Sequence, residues 1–413
     1  MAKRTAIINI GELVTCADGA KFGKAMNNIG IIHNAIVIIE DDIIQSVGTI
    51  SELSHQANLC DEIINADGKC VLPGFVDSHT HFIFGGYRED EFEWRLNGES
   101  YMSIMERGGG IANSVCATRS ATVAELVKTG RIRLAEMFNY GITTVEGKSG
   151  YGLDIDTELR QLAVMRELND SQPLEIAITY MGAHSIPVEF KADPESYIDI
   201  IINDVLPKAA NFAEFCDVFC EKNVFSIDQS RKILTAAQRL GLKSKLHADE
   251  IVQLGGAELA AELGAVSADH LLNASDAGIT AMTDSKVVCT LLPATAFSLR
   301  EHYARARYMI DHGACVALAS DFNPGSCCTA SIPLVIALAA LNMQMTNAEI
   351  ITALTINGAK AINREHRIGS IELGKQADLL VLKYSSHKFL SYRIAENIVK
   401  YVIKKGQIVN RNA

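Results

Sequence analysis

Two histidines one residue apart, His79 and His81, lie in the run Phe75-Val76-Asp77-Ser78-His79-Thr80-His81-Phe82. Pro73 and Gly74 break the chain just before it, and the interleaved β-branched and aromatic residues predict a strand. Strand side chains alternate between faces, so both imidazoles project to one side, close enough to hold a single ion. A lone His-x-His is an ordinary occurrence on a surface strand, so further donors must decide. Strand-like runs later in the chain end on Glu146 and Lys148, on His184, on Glu221, on His247 and Glu250, on His270 and on Asp321. A catalytic zinc-type site needs three or four protein ligands and an open position for water. His79, His81, His247 and Asp321 meet that need with ligand types suited to zinc or ferrous iron, and the water they hold becomes a nucleophile. Glu250 is either a loop carboxylate that orients a histidine or the shuttle that takes a proton from water to a leaving nitrogen. His270 can hydrogen-bond the attacked oxygen. The remaining histidines, His33, His55, His302, His312, His366 and His387, fall outside these positions and read as surface or structural.

The elements that must position these groups are strands over 75–82, 141–147, 174–184, 215–221, 242–250, 266–272, 286–293 and 314–321. Helical patterns over 124–138, 157–168, 230–240 and 257–263 separate several of them. That alternation predicts an α/β fold, a parallel (β/α)8 TIM barrel whose chemistry sits at the C-terminal strand ends. The two ends of the chain have a different texture. Near the start, strands over 35–39 and 43–48 flank the acidic turn Glu40-Asp41-Asp42, and near the end strands cover 377–382, 398–403 and 404–409. Exposed strand edges at both ends would be a liability, so the termini are expected to pair. The expected division is a small β-sandwich domain built from 1–70 plus 370–413, around a metal-dependent hydrolase barrel over 71–369.

A net charge of −11 argues against nucleic acid or an anionic membrane as partner, and 48% hydrophobic residues give ample material for a core. The apolar start of the chain is interrupted by Asn9, Gly11 and Glu12, too early for a signal-peptide core, and the apolar stretch 332–341 is too short to span a membrane. A soluble, cytoplasmic protein is expected. Ten scattered cysteines without a CxxC pair read as mostly buried thiols, with Cys327-Cys328 beside the site.

Substrate clues surround the donors. Arg88, in Gly85-Gly86-Tyr87-Arg88, can clamp a carboxylate, although a surface arginine is the commoner case. Gly147-Lys148-Ser149-Gly150-Tyr151-Gly152 can bring backbone close to a ligand that Tyr151 faces, and Asp321-Phe322-Asn323-Pro324-Gly325-Ser326 adds amide and hydroxyl groups. Together they point to a small, negatively charged polar substrate. Gly108-Gly109-Gly110 lacks the lysine of a phosphate loop and reads as a loop near the mouth, within an expected lid over 87–110. Lys222 comes too late after the fourth strand to be a bridging ligand, so a single metal is expected.

Pro73-Gly74-Phe75-Val76-Asp77-Ser78-His79-Thr80-His81 and Gly374-Lys375-Gln376-Ala377-Asp378-Leu379-Leu380 resemble the metal strand and the returning C-terminal strand of the amidohydrolase superfamily. A narrower likeness rests on His81-Phe82-Ile83-Phe84-Gly85-Gly86-Tyr87-Arg88, Glu146-Gly147-Lys148-Ser149-Gly150-Tyr151-Gly152-Leu153-Asp154, Phe215-Cys216-Asp217-Val218-Phe219-Cys220-Glu221, His247-Ala248-Asp249-Glu250 and Ser320-Asp321-Phe322-Asn323-Pro324-Gly325. Over essentially the whole chain these are similar to the imidazolonepropionase family. The resemblance implies hydrolysis of the cyclic amide of 4-imidazolone-5-propanoate to N-formimidoyl-L-glutamate, a step of histidine degradation. It implies His79, His81, His247 and Asp321 as ligands of one Zn2+ or Fe2+/Fe3+ per subunit. Arg88, Tyr151, His184, Glu250, Asn323, Gly325 and Ser326 would bind substrate or product, His270 would stand beside the catalytic water, and the protein would be a homodimer. The competing readings are a deaminase of another small nitrogen heterocycle on the same fold, and a non-catalytic barrel that binds a partner.

Overall fold

The computed structural model describes residues 2–99 and 109–411. The N-terminal segment supplies β1 (Arg4–Val14), β2 (Ile31–Glu40), β3 (Ile43–Thr49), β4 (Glu62–Asn65) and β5 (Cys70–Pro73). Asn9, which interrupts the apolar pattern of β1, adopts φ 53° at a bulge between Ile7 and Ile10, so the strand continues through the interruption.

Eight barrel strands follow in the expected order: β6 (Phe75–Asp77), β7 (Ile142–Lys148), β8 (Glu175–Ala183), β9 (Phe215–Cys220), β10 (Lys243–Ala248), β11 (Ser267–His270), β12 (Val288–Leu291) and β13 (Cys315–Leu318). The first stops at Asp77, short of the expected 75–82, so His79 and His81 flank an isolated bridge from Thr80 to Phe322 beyond the strand end. They pair in chain order as one parallel sheet. Burial on both faces suits the apolar runs of β12 (VCTL) and β13 (CVAL), whereas β7, β10 and β11 carry buried polar and charged residues into the barrel. The helices between them start at recognisable caps. Thr122 and Glu125 form a capping box ahead of Val123–Asn139, and Ser226 and Gln229 do the same for Ile227–Arg239. The second of these buries Ser230, Ile233, Leu234 and Ala237, the 3.6-residue stripe that the sequence pattern requires.

Closure of the barrel involves the two histidines directly. β6 and β13 are joined beyond their ends, where Asp321 N donates to His79 O at 3.0 Å and His81 N donates to Phe322 O at 2.8 Å. Asp77 Oδ1 accepts from Ser320 N at 3.0 Å and Oδ2 from the Ser320 hydroxyl at 2.6 Å.

The C-terminal strands β14 (Leu379–Leu382), β15 (Val399–Lys404) and β16 (Gln407–Arg411) return to the N-terminal ones. One second sheet results, ordered β16-β15-β14-β5-β1-β2-β3, with β4 beside β1. The two-layer character expected of this part arises by curling. Ile43 bridges Gln376 and Ala377 N donates to Asp42 O at 2.8 Å, so the two ends of the sheet meet over a shared core that includes Ile7, Leu13, Val37, Ile39, Val71, Leu379 and Ile403. Buried Glu12 accepts from His387 N at 2.7 Å and lies 2.7 Å from its Nδ1, the structural use expected of that histidine. Among the described residues no helix is long and apolar enough to cross a membrane. Part of the expected lid, 100–108 with Gly108, lies outside the described residues; the described part contains the helix Glu89–Leu96.

Candidate active site

Barrel closure brings the first and last candidate ligands together. His79 Nε2 and His81 Nε2 stand 3.5 and 3.7 Å from the same Asp321 oxygen, Oδ1. His247, near the end of β10, places its Nε2 3.4 Å from His81 Nε2. All four side chains are buried. Asp249, His270 and Asp321 hold left-handed backbone (φ 49°, 77° and 51°) just where the strands end, a strained conformation for residues other than glycine that re-aims their side chains.

Each donor is fixed from behind. His79 Nδ1 lies 2.6 Å from Asp269 Oδ2 and His247 Nδ1 lies 3.1 Å from Asp217 Oδ1. A carboxylate there makes Nδ1 the donor and leaves the Nε2 lone pair facing the cluster. The Thr295 hydroxyl donates to Asp321 Oδ2 at 2.6 Å, which leaves Oδ1 for the histidines. His79 Nε2 is buried without a hydrogen-bond partner. Burial pushes the imidazoles of His79, His81 and His270 well below the usual histidine range, so they are neutral at pH 7, the form that binds metals. Three inward-facing imidazole nitrogens and one carboxylate oxygen fit a zinc- or iron-type cation. His184 and His270 complete the ring of donors, with candidate ligand atoms within 4.8 Å of one another in each of several triplets. His184 directs Nδ1 to Gly150 O at 3.0 Å and stacks on His81 with centroids 4.9 Å apart. Gly150 has φ 109°, and a Cβ there would stand 2.8 Å from Met181 O, so this turn requires glycine.

Beside the donors, buried Tyr151 packs 5.9 Å from His81 and 5.3 Å from His184, measured between ring centroids. Arg88 is no free surface cation. Its Nε and Nη2 both lie 2.9 Å from Glu91 Oε2, and its Nη1 rests over Gly325, where a Cβ would come within 2.1 Å. Asn323 is committed to shaping its own loop: Oδ1 accepts from Gly325 N at 2.9 Å and Ser326 N at 2.8 Å, and Nδ2 donates to Asp321 O at 2.7 Å and Ser326 Oγ at 2.9 Å. Glu250 is 15% exposed, with Oε1 3.5 Å from His270 Nδ1. Burial, with the nearby carboxylates of Asp321, Glu221 and Glu301, pushes its carboxyl up to about 8. A group that keeps its proton near neutrality is suited to general acid work.

Three strand-end residues have other uses. Glu221 accepts from Ile251 N at 2.8 Å and so ties down the loop after β10, and Glu146 with Lys148 lies beneath the rim, inside the barrel. Sequence reasoning did not single out Asp217, Asp269 or Lys245. For Asp217 the signal was present, a charge in the otherwise apolar strand FCDVFC; Lys245 and Asp269 lie in the polar strands KSKLHA and SADH, two residues before His247 and one before His270.

Residues 70–409 match the model of the Amidohydrolase family, and the chain belongs to that family. Among curated relatives, it is 58% identical to the imidazolonepropionase of Clostridium tetani over 100% of both chains. It is 55% identical to the imidazolonepropionase of Parabacteroides distasonis, over 97% of this chain and 98% of the relative. An adenosine deaminase from Xanthomonas campestris, solved with bound zinc, superposes with a TM-score of 0.70 over 98% of this chain and 92% of that one, at 17% identity, a likeness of fold alone.

Proposed function

We propose that this chain hydrolyses the cyclic amide of 4-imidazolone-5-propanoate to N-formimidoyl-L-glutamate, a step of histidine degradation. The reading is carried by a complete donor set, His79, His81, His247 and Asp321, in a chain 58% identical over its whole length to an imidazolonepropionase. These four residues would hold one zinc or iron ion per subunit. Such an ion supplies Lewis acidity toward the ring carbonyl and lowers the pKa of a water beside it.

The chain's own groups do the rest. Arg88, braced by Glu91 through Nε and Nη2, receives the propanoate carboxylate through the in-plane N–H donors that Glu91 leaves unused, with Gly325 packed against Nη1. Tyr151 and His184 line the ring, and the loop shaped by Asn323, with Gly325 and Ser326, closes the carboxylate end. Asp321, held through Oδ2 by Thr295, orients the attacking water and takes its proton. His270 Nε2, buried without a protein partner, donates to the oxygen on which charge develops. Glu250 delivers a proton to the ring nitrogen as the amide C–N bond breaks. We further assign 1–73 plus 370–413 to one domain, three residues beyond the expected 1–70 because β5 pairs with β1 and β14, and 74–369 to the other, and propose a cytoplasmic homodimer that binds neither nucleic acid nor membrane.

The test is direct: purified protein is incubated with fresh imidazolonepropionate, and loss of the imidazolone absorbance is followed while formimidoylglutamate is assayed. Stoichiometric product supports the reading. Ammonia release from a nucleobase, with no imidazolonepropionate turnover, replaces the substrate with that of a deaminase.

A further inference from the structure

Beneath the histidines the barrel holds three carboxylates and two ammonium groups, all fully buried: Glu146, Asp217, Asp269, Lys148 and Lys245. Lys148 Nζ lies 2.6 Å from Asp217 Oδ2, 2.9 Å from Glu146 Oε1 and 3.6 Å from Asp269 Oδ2. Lys245 is bound differently, donating to Ser78 O at 3.1 Å and Ala361 O at 3.3 Å, with Glu146 Oε1 at 3.2 Å and Asp269 Oδ2 at 3.8 Å. Buried charges are retained only where partners compensate their desolvation. The carboxylates here are divided between two tasks. Asp217 turns Oδ2 to Lys148 and Oδ1 to His247 Nδ1 at 3.1 Å. Asp269 shows Oδ2 to His79 Nδ1 at 2.6 Å, on the side where Lys148 stands.

We propose that Lys148 is a positioning residue for the metal site: its ammonium fixes Asp217 and Asp269, and through them sets the ring orientation and tautomer of His247 and His79. It touches neither imidazole and acts through the two aspartates. Lys245, tied to backbone carbonyls, secures the barrel floor. The inference rests on the reading of His79 and His247 as metal ligands. Two effects of removing Lys148 have opposite signs. Loss of a positive charge close to a cation site would, by relieving Coulomb repulsion, tighten cation binding. Loss of the anchor frees both aspartates and weakens the hold on the imidazoles, and losing such an outer partner typically lowers metal affinity about 10–100-fold.

The experiment measures Zn2+ affinity by chelator competition in wild type, Lys148→Met, Asp269→Asn and the double variant, with the visible spectrum of the Co2+ forms as a readout of ligand geometry. The expected result is a 10–100-fold weaker Kd and an altered Co2+ spectrum for Lys148→Met, and a double variant that loses much less than the product of the two single losses, because both act on one chain of contacts. Unchanged or tighter binding in Lys148→Met with an unaltered spectrum, or losses that multiply, overturns the proposal. If Lys148→Met does not fold, Lys148→Arg takes its place: a geometric role predicts a shifted spectrum in this charge-preserving variant, and a wild-type spectrum and Kd refute it. Wild-type protein that binds no ion would instead refute the ligand assignment itself.

Discussion

Arg133, on the helix Val123–Asn139, is only 2% exposed, and its guanidinium holds the chain just after the metal strand. Nη1 donates to Phe82 O and Phe84 O, both at 2.9 Å, Nε lies 3.3 Å from the Tyr87 hydroxyl, and the group stacks 3.4 Å from the centroid of Phe84. Arg133→Met keeps the apolar stem and removes the donors. Two charge-assisted hydrogen bonds at roughly 1.5–3 kcal/mol each, and a cation–π contact of about 1 kcal/mol, are lost. The relieved desolvation of the guanidinium offsets part of this, so the net loss is about 3–4 kcal/mol. Over a chain of 413 residues that corresponds to a Tm about 4–5 °C lower. Because the same contacts fix Phe84 and Tyr87 in the segment that leads directly into Arg88, KM for the carboxylate-bearing substrate rises as well. Calorimetry and steady-state kinetics on the purified variant measure both effects. A variant with wild-type Tm and KM would refute the idea that this guanidinium holds the Phe82–Arg88 segment in place.

Glu250→Gln is expected to lower kcat by roughly two to four orders of magnitude with the metal content unchanged. The folded Glu250 carboxyl is raised to about 8, so its contribution to stability is complete below the ordinary carboxylate range and is lost as pH rises toward 8; the amide variant should therefore gain stability relative to wild type at pH 8–9, which denaturant melts at two pH values would detect. Glu175 behaves oppositely. Burial would raise it, but Lys404 and Gln376, each 2.9 Å from Oε2, together with Arg367 hold it at about 2. Its stabilisation is thus present above about pH 4.5 and lost as pH falls through about 2, amounting to about 3 kcal/mol at most; Glu175→Gln should flatten the acid limb of the stability curve, and an unchanged limb counts against the assignment. Gly325→Ala forces Arg88 off its seat, and loss of a charge-assisted contact predicts a KM about 10–100-fold higher at similar kcat. An unchanged KM would remove Arg88 from substrate binding.

Much of this was legible because the strand-end rule of the barrel made the order of the chain informative. His79, His81, His184, His247, His270 and Asp321 were found as polar residues at the ends of apolar runs, and the structure gathers all six into one cluster. What escaped was one layer below. Asp217, Asp269 and Lys245 sit mid-strand, where a charge reads as an interruption until parallel register shows which partners lie across from it; Lys245 and Asp217 are register neighbours on adjacent strands. Asn323 read as a ligand-binding amide because composition cannot reveal that its own loop uses Oδ1 and Nδ2. Arg88 read most simply as a surface side chain, since the partner that holds it, Glu91, belongs to a short helix with weak patterning. The curl of the terminal sheet depends on Ile43 meeting Gln376, a contact between distant parts of the chain that no local pattern encodes.

On the proposed function, His79, His81, His247 and Asp321 hold a single ion on which cleavage of the imidazolone ring depends. Metal-stripped protein titrated with Zn2+ or Fe2+, with formimidoylglutamate measured at each addition, tests it most directly. Activity is expected to rise linearly and break at one equivalent per chain. A break at two equivalents, or a fully loaded protein that forms no formimidoylglutamate, would contradict it.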